Sequence, residues 1–295
     1  MELLFGIMKF GVYVHIPYCL QRCVYCDFAT YEQGQILAPE HYTKLVKNEV
    51  QLKGPALGPR PLDTVYFGGG TPSLLEPELL IEIVTSLENQ GFVRRPDCEV
   101  TLEINPATLD AGKLEKLIRF GFNRFSVGAQ TFNDDLLKIA HRKHSVQDSR
   151  ETLAALKSFG VNFSLDLLFA LPKQNLEMLK RDLDEISKID PPHVSPYCLT
   201  VPETNPMAKN RAPEEHQAEM FDLIAKGLNQ MGLERYEISN FAKPGSESRH
   251  NLLYWQDQEY WGIGLSSHSY IQQKPWGVRF WNQKSIHDYT KEIET

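Results

Sequence analysis

The sequence predicts an α/β fold: a partial TIM-type (β/α)6 barrel on a parallel sheet, followed by a C-terminal α+β extension. Three observations carry this. Short apolar runs alternate with longer amphipathic ones, six times over, which is the pattern of βαβ units. Several amphipathic runs stop at a glycine, namely Gly91, Gly121, Gly160 and Gly232, the residue helix termini favour. The polar and glycine-rich motifs that interrupt the pattern fall just after apolar runs. Strand C-terminal ends are where folds of this kind gather their chemistry.

Taken in order, strands are predicted at 12–16, 64–67, 99–104, 124–127, 163–169 and 194–199. The first is a β-branched run that Pro17 ends by withholding an N–H from the ladder. Helices are predicted at 39–53, 77–90, 111–120, 146–159, 176–189 and 214–231. The second shows a packed apolar stripe in Leu79, Leu80, Ile83 and Val84. Pro59-Arg60-Pro61 and the stretch 202–213 read as loops. The barrel core is expected over residues 1–212 and the extension over 213–295.

A chain of 295 residues is long for one domain but ordinary for an α/β barrel. Apolar residues make up 42% and charged residues 23%, which suits a soluble globular protein with a sizeable core. A net charge of −7 argues against nucleic acid as a partner, since phosphate binding needs clustered Lys and Arg. The five cysteines are odd in number and three share one loop, which points to a reducing, cytoplasmic setting and not to a disulfide framework. Cys98 and Cys198 are expected to be buried structural thiols. Residues 1–10 carry Glu2 and a short apolar run, the wrong makeup for a signal peptide. No stretch approaches the ~18 apolar residues of a membrane span, so a membrane would be met only peripherally.

Cys19, Cys23 and Cys26 fall within eight residues, spaced C-x3-C-x2-C, with Tyr25 before the last. Three thiolates on a short loop converge on one inorganic centre, either zinc or iron–sulfur. A closed zinc site wants four ligands and no fourth is near, whereas a [4Fe–4S] cluster held by three would leave one iron open. Gly68-Gly69-Gly70-Thr71 follows the second strand; glycines let backbone approach a ligand and offer N–H donors. Glu103-Ile104-Asn105-Pro106 closes the third strand, its carboxylate being either a solvated strand end or an acceptor for a ligand. Gln130 ends the fourth, and Arg142 lies in His141-Arg142-Lys143-His144. A guanidinium fork suits a carboxylate, while His141 and His144 read as ordinary surface residues. Asp166 sits within the fifth strand, where an unpaired carboxylate is costly. The C-terminal part is dense in His, Tyr and Trp, notably His250-Asn251-Leu252-Leu253-Tyr254-Trp255 and Gly264-Leu265-Ser266-Ser267-His268-Ser269. Such residues either close the barrel or stack on a flat macrocycle and ligate its iron.

The cysteine loop resembles the signature of the radical S-adenosylmethionine (SAM) superfamily. The ordered motifs from about Tyr13 to Tyr270 resemble its heme-chaperone (HemW) family, related to oxygen-independent coproporphyrinogen III oxidase. The resemblance implies the superfamily's partial barrel. It implies a [4Fe–4S] cluster on Cys19, Cys23 and Cys26, whose open iron chelates SAM. Tyr13, Tyr25, Gly69, Gly70, Thr71, Glu103, Gln130, Arg142 and Asp166 are implied as the cofactor surroundings. It further implies heme as a ligand, a heme-acceptor protein as partner, and His250 or His268 as axial ligands, with His15 a weaker competitor. Heme affinity is then expected to fall as pH drops through ~6.5, the ordinary imidazole value.

Three departures matter. The oxidase carries a further cysteine two residues after the third; here Asp27-Phe28 follows Cys26, the chaperone pattern, and the oxidase's N-terminal extension is not evident. Chaperone function is therefore expected over propionate decarboxylation. Ala170 and Ser266 stand where the family shows glycine. Family members commonly continue into a further C-terminal domain, expected to be absent from a chain ending at Thr295.

Overall fold

In the computed structural model, which describes residues 8–273 and 275–294, the sheet begins with β1 (Phe10–Ile16). Residues 1–7, part of the segment read as lacking a signal peptide, lie outside the described residues. Val12, Val14 and Ile16 are fully buried, as a strand covered on both faces requires. Two-residue strands β2 (Tyr18–Cys19) and β3 (Tyr31–Glu32) pair in parallel and close the cysteine loop at its base. The repeating units follow: α1 (Pro39–Leu57) and β4 (Leu62–Gly69), α2 (Pro77–Asn89) and β5 (Arg94–Ile104), α3 (Ala111–Phe120) and β6 (Arg124–Gln130). Then come a short α4 (Asp134–Ile139) with α5 (Val146–Phe159) and β7 (Asn162–Phe169), and α6 (Leu176–Ile189) with β8 (His193–Cys198).

Local chemistry explains these boundaries. Pro39 and Pro77 open α1 and α2, where the missing N–H costs nothing. Ser145 and Asp148 form a reciprocal capping box on α5. Gly121 and Gly160 end α3 and α5 in left-handed geometry.

The remainder is α7 (Glu214–Gln230), β9 (Glu234–Arg235), β10 (Phe241–Ala242), α8 (Arg249–Trp255), β11 (Glu259–Ile263), β12 (His268–Gln273), β13 (Trp276–Trp281) and α9 (Ile286–Glu294). All strands but β2 and β3 form one sheet in the order β13-β12-β11-β1-β4-β5-β6-β7-β8-β10-β9. The sequence reading treats β1 as the first of six parallel strands. In the structure β11 lies parallel against its other side, with Val12 opposite Trp261, so the parallel run is longer by one. Residues 213 onward thus add to both edges of the barrel sheet. One hydrophobic cluster runs from Val14 and Phe67 to Trp261, Ile263 and Tyr289. Among the described residues no helix is long and apolar enough to cross a membrane.

Candidate functional site at the barrel mouth

The cysteine loop leaves the C-terminal end of β1. Burial pushes the Cys19 thiol up, the Thr30 and Thr71 hydroxyls hydrogen-bond to it, and the Cys26 and Cys23 thiols act on it through space. Cys26 folds back on Cys23 through a backbone bond of 3.1 Å. All five cysteines are free thiols. The three loop thiols therefore share one small space. Among the described residues no group of three or more His, Cys, Asp or Glu side chains is gathered as for a single ion. Thiolates around one zinc stand only about 3.8 Å apart, given Zn–S distances near 2.3 Å. Three thiolates without a fourth suit a multi-iron cluster with one open iron better than a closed zinc site, which takes four ligands.

What holds this loop was not legible in the sequence. His15, buried on β1, shares a hydrogen bond of 2.9 Å between Nε2 and the Ala29 carbonyl, and one of 3.2 Å between Nδ1 and the Tyr13 hydroxyl. Burial pushes its pKa down to about 4; a neutral ring donates from Nε2 to Ala29 and accepts from Tyr13. His15 is a packed residue that ties down the loop.

The glycine run is tied into the protein through its backbone. Gly69 donates to Glu103 Oε2 (3.1 Å), Gly70 to the Ile16 carbonyl (2.8 Å) and Thr71 to the Tyr18 carbonyl (2.7 Å). These N–H groups are used within the protein and are not held out for a ligand. A Cβ on Gly70 would stand 2.5 Å from the Tyr18 carbonyl oxygen, and one on Gly69, at φ +111°, 2.6 Å from the His15 ring. Glycine is needed because the motif lies flat against the root of the cysteine loop.

The remaining residues line the lumen below. Glu103 accepts from the Tyr66 hydroxyl (2.8 Å) as well as from Gly69, and burial raises its pKa to about 7, with the Asp166 charge adding. Asp166 accepts from Ser126 Oγ (3.2 Å), and burial raises it to about 6. Neither is a solvated strand end. Arg142 follows α4, a helix too short to show in the sequence. Its guanidinium reaches Cys23 Sγ (3.6 Å), the Gly128 carbonyl (2.6 Å) and Asn105 Oδ1. Gln130 ends β6 at φ +67°, beside a register shift against β7. Tyr25 packs on Cys23 and Arg142, while Tyr13 stacks on Tyr66 inside the lumen (6.1 Å).

The histidines divide. His250 lies on α8 at the opposite, N-terminal end of the barrel. It is 2% exposed, bonded at Nδ1 to Thr64 Oγ1 (2.7 Å) and at Nε2 to the Tyr254 hydroxyl (2.9 Å). Burial lowers its pKa to about 3. His268 is exposed on β12 and stacks on Trp281 (5.8 Å). The two are not brought together. His144, expected at the surface, is buried against the Ala129 carbonyl (3.3 Å); His141 is exposed. Cys98 is buried as expected, and Cys198 only half-buried.

Residues 13–186 match the model of the Radical SAM superfamily. A Bacillus subtilis protein named heme chaperone HemW is 38% identical over 270 residues, 88% of this chain and 71% of that protein. The protein of the same name from Buchnera aphidicola of Schizaphis graminum is 32% identical over 290 residues, covering 97% and 77%. That of Escherichia coli K12 is 34% identical over 266 residues, covering 88% and 70%. The solved structure of Escherichia coli coproporphyrinogen III oxidase (HemN), described as a radical SAM enzyme, superposes with a TM-score of 0.85 at 22% identity, covering 97% of this chain and 69% of that one. At that identity the likeness speaks of fold alone.

Proposed function

The chain belongs to the radical SAM superfamily and to its heme chaperone HemW family, and from that premise we propose that it binds heme and hands it to acceptor proteins in the cytoplasm. The observation that carries this over the oxidase reading is Phe28. It stands where the oxidase has its further cysteine, is 67% exposed, and lines the mouth of the lumen. An apolar ring there supplies a stacking surface and removes a thiol from the chemistry.

Cys19, Cys23 and Cys26 would hold a [4Fe–4S] cluster, which when bound supplies an open iron for SAM and one-electron chemistry. Since the N–H groups of the glycine run are taken, its carbonyl oxygens remain, and these suit the ammonium of SAM. Arg142 is the cation for the SAM carboxylate; Glu103, Gln130 and Asp166 are the acceptors and donors for the rest. Of the two histidines proposed for heme, His268 is accessible as it stands. His250 would have to give up two hydrogen bonds, and α8 would have to move.

The test is a heme titration of the reconstituted protein followed by the Soret band, beside an anaerobic assay for propionate decarboxylation with SAM and dithionite. Saturable heme binding without decarboxylation is expected. Decarboxylation without heme binding overturns the reading. His250→Ala and His268→Ala separate the ligands. So does pH: a loss of affinity centred near ~6.5 is that of an ordinary imidazole and excludes His250 in its buried setting.

A further inference from the structure

The lumen contains a cavity of about 270 Å3, with Phe28 and Tyr197 at its mouth and Arg124, His193 and Asn251 at its floor. Arg124 is the notable group. It is 2% exposed and donates Nη1 to the Ser246 carbonyl (3.1 Å). Arg60, Arg94, Arg95, Arg150 and Arg249 each face a carboxylate at 2.7–3.4 Å. Among the described residues Arg124 faces none within 4 Å. Asp166 compensates it only through space, beyond the Ser126 hydroxyl. A desolvated guanidinium with no carboxylate beside it is costly, and nothing in the proposed handling of cluster or SAM uses it.

His193 sits beside it. Its Nε2 is 2.9 Å from the Tyr236 hydroxyl, and that hydroxyl accepts from the Ser248 N–H at 3.3 Å. When that hydroxyl donates its proton to Nε2, the ring proton sits on Nδ1. Nδ1 is buried and has no partner. A cation and an unmet ring nitrogen thus share the cavity floor, with the Ser126, Ser164 and Ser195 side chains on the wall above.

We propose that this floor is a carboxylate-binding site, with Arg124 as its charged anchor. The cavity falls below the roughly 300–1,000 Å3 of ordinary ligand pockets. It admits a small carboxylic acid, or one acidic side arm of a larger ligand, but not a whole macrocycle. The side-arm form rests on the heme reading; the site itself does not.

The test uses the full chain without cluster, labelled with 15N-histidine, with the His193 resonance assigned by its loss in His193→Gln. Sodium propionate should shift that resonance saturably, and propanol should not. Arg124→Lys, which keeps the charge but loses the planar fork, should weaken propionate about tenfold, the worth of a charge-assisted bond. The wild-type titration decides by itself if that variant fails to fold. Heme and its dimethyl ester then separate the sources. Displacement of propionate by heme but not by the ester assigns the site to a tetrapyrrole side arm. Propionate that stays bound beside heme assigns it to a free acid. No saturable shift with propionate, or an equal one with propanol, overturns the proposal.

Discussion

The two ends of the barrel are built on opposite principles. At the mouth, backbone does the holding: Gly69, Gly70 and Thr71 spend their N–H groups on Glu103, Ile16 and Tyr18. At the floor, side chains hold side chains. His250 is pinned by Thr64 and Tyr254 and lies against Tyr66 at 5.1 Å between ring centres. The same residue types therefore mean different things at the two ends. His250 at the floor is a satisfied packing residue, and a glycine at the mouth is a structural joint.

The comparison is broken most severely at the cysteines. Cys23→Ala is expected to abolish the broad visible absorption of the reconstituted cluster, since three thiolates leave no redundancy, while Cys98→Ala, near the floor, leaves it unchanged. A cluster that survives Cys23→Ala sinks the assignment.

Glycine substitutions come next. Gly69→Ala adds a Cβ 2.6 Å from the His15 ring at a φ that disfavours any side chain, and should cost about 2–4 kcal/mol in urea unfolding together with most of the cluster. Gly11→Ala meets Leu253 and Thr64 at 2.4 Å. It should loosen α8, read as faster hydrogen exchange over 249–255, with cluster absorption retained. Equal effects of both variants on the cluster would erase the distinction between the ends.

Protonation is the third lever. Glu103 has its pKa raised to about 7, above the ordinary value near 4.3. In the window between those values the unfolded chain ionises first, so this group lowers stability as pH rises. Cofactor-free protein should lose about 3 kcal/mol from this source between pH 4.5 and pH 7, and Glu103→Gln should not; parallel pH curves for the two proteins would refute the burial argument. Arg142→Ala comes last, because it is read on ligand binding and not on the fold. SAM binding to the reconstituted protein should weaken by ~1.5–3 kcal/mol, and wild-type affinity would place SAM elsewhere.

The parallel barrel was legible because its strands and helices are long and strongly patterned. The helix read at 111–120 matches α3 (Ala111–Phe120), and that read at 146–159 matches α5 (Val146–Phe159). What the sequence could not show depends on distant partners. Nothing near Glu259 announces that it pairs with Phe10. Nothing near Glu49 announces that this buried carboxylate will accept from Gly264, Asn282 and Tyr289 (2.8, 2.6 and 2.6 Å), joining α1 to the C-terminal motif and α9. Reading the cysteines, Glu103, Arg142 and Asp166 as one neighbourhood rested on the resemblance of the motifs and their place near strand ends, whereas the roles of His15 and His250 needed their partners. The two departures from family glycine are explained by geometry: Ala170 and Ser266 both adopt left-handed backbone, at φ +60° and +57°. A residue with a Cβ there carries strain of about 1 kcal/mol or more, which glycine avoids.

The pairing of β11 with β1 has a consequence for how the chain is made. Residues Phe10–Ile16 lead directly to the cysteine loop, yet one flank of that strand is closed by Glu259–Ile263, roughly 250 residues later. Contacts of such long sequence separation form slowly, and during synthesis the early part of a chain emerges first. Until β11 arrives, β1 presents an open edge of unpaired backbone that invites other strands. The segment that bears the cysteines thus leaves the ribosome roughly 250 residues ahead of the strand that encloses it, and the barrel can shut only once that strand has arrived.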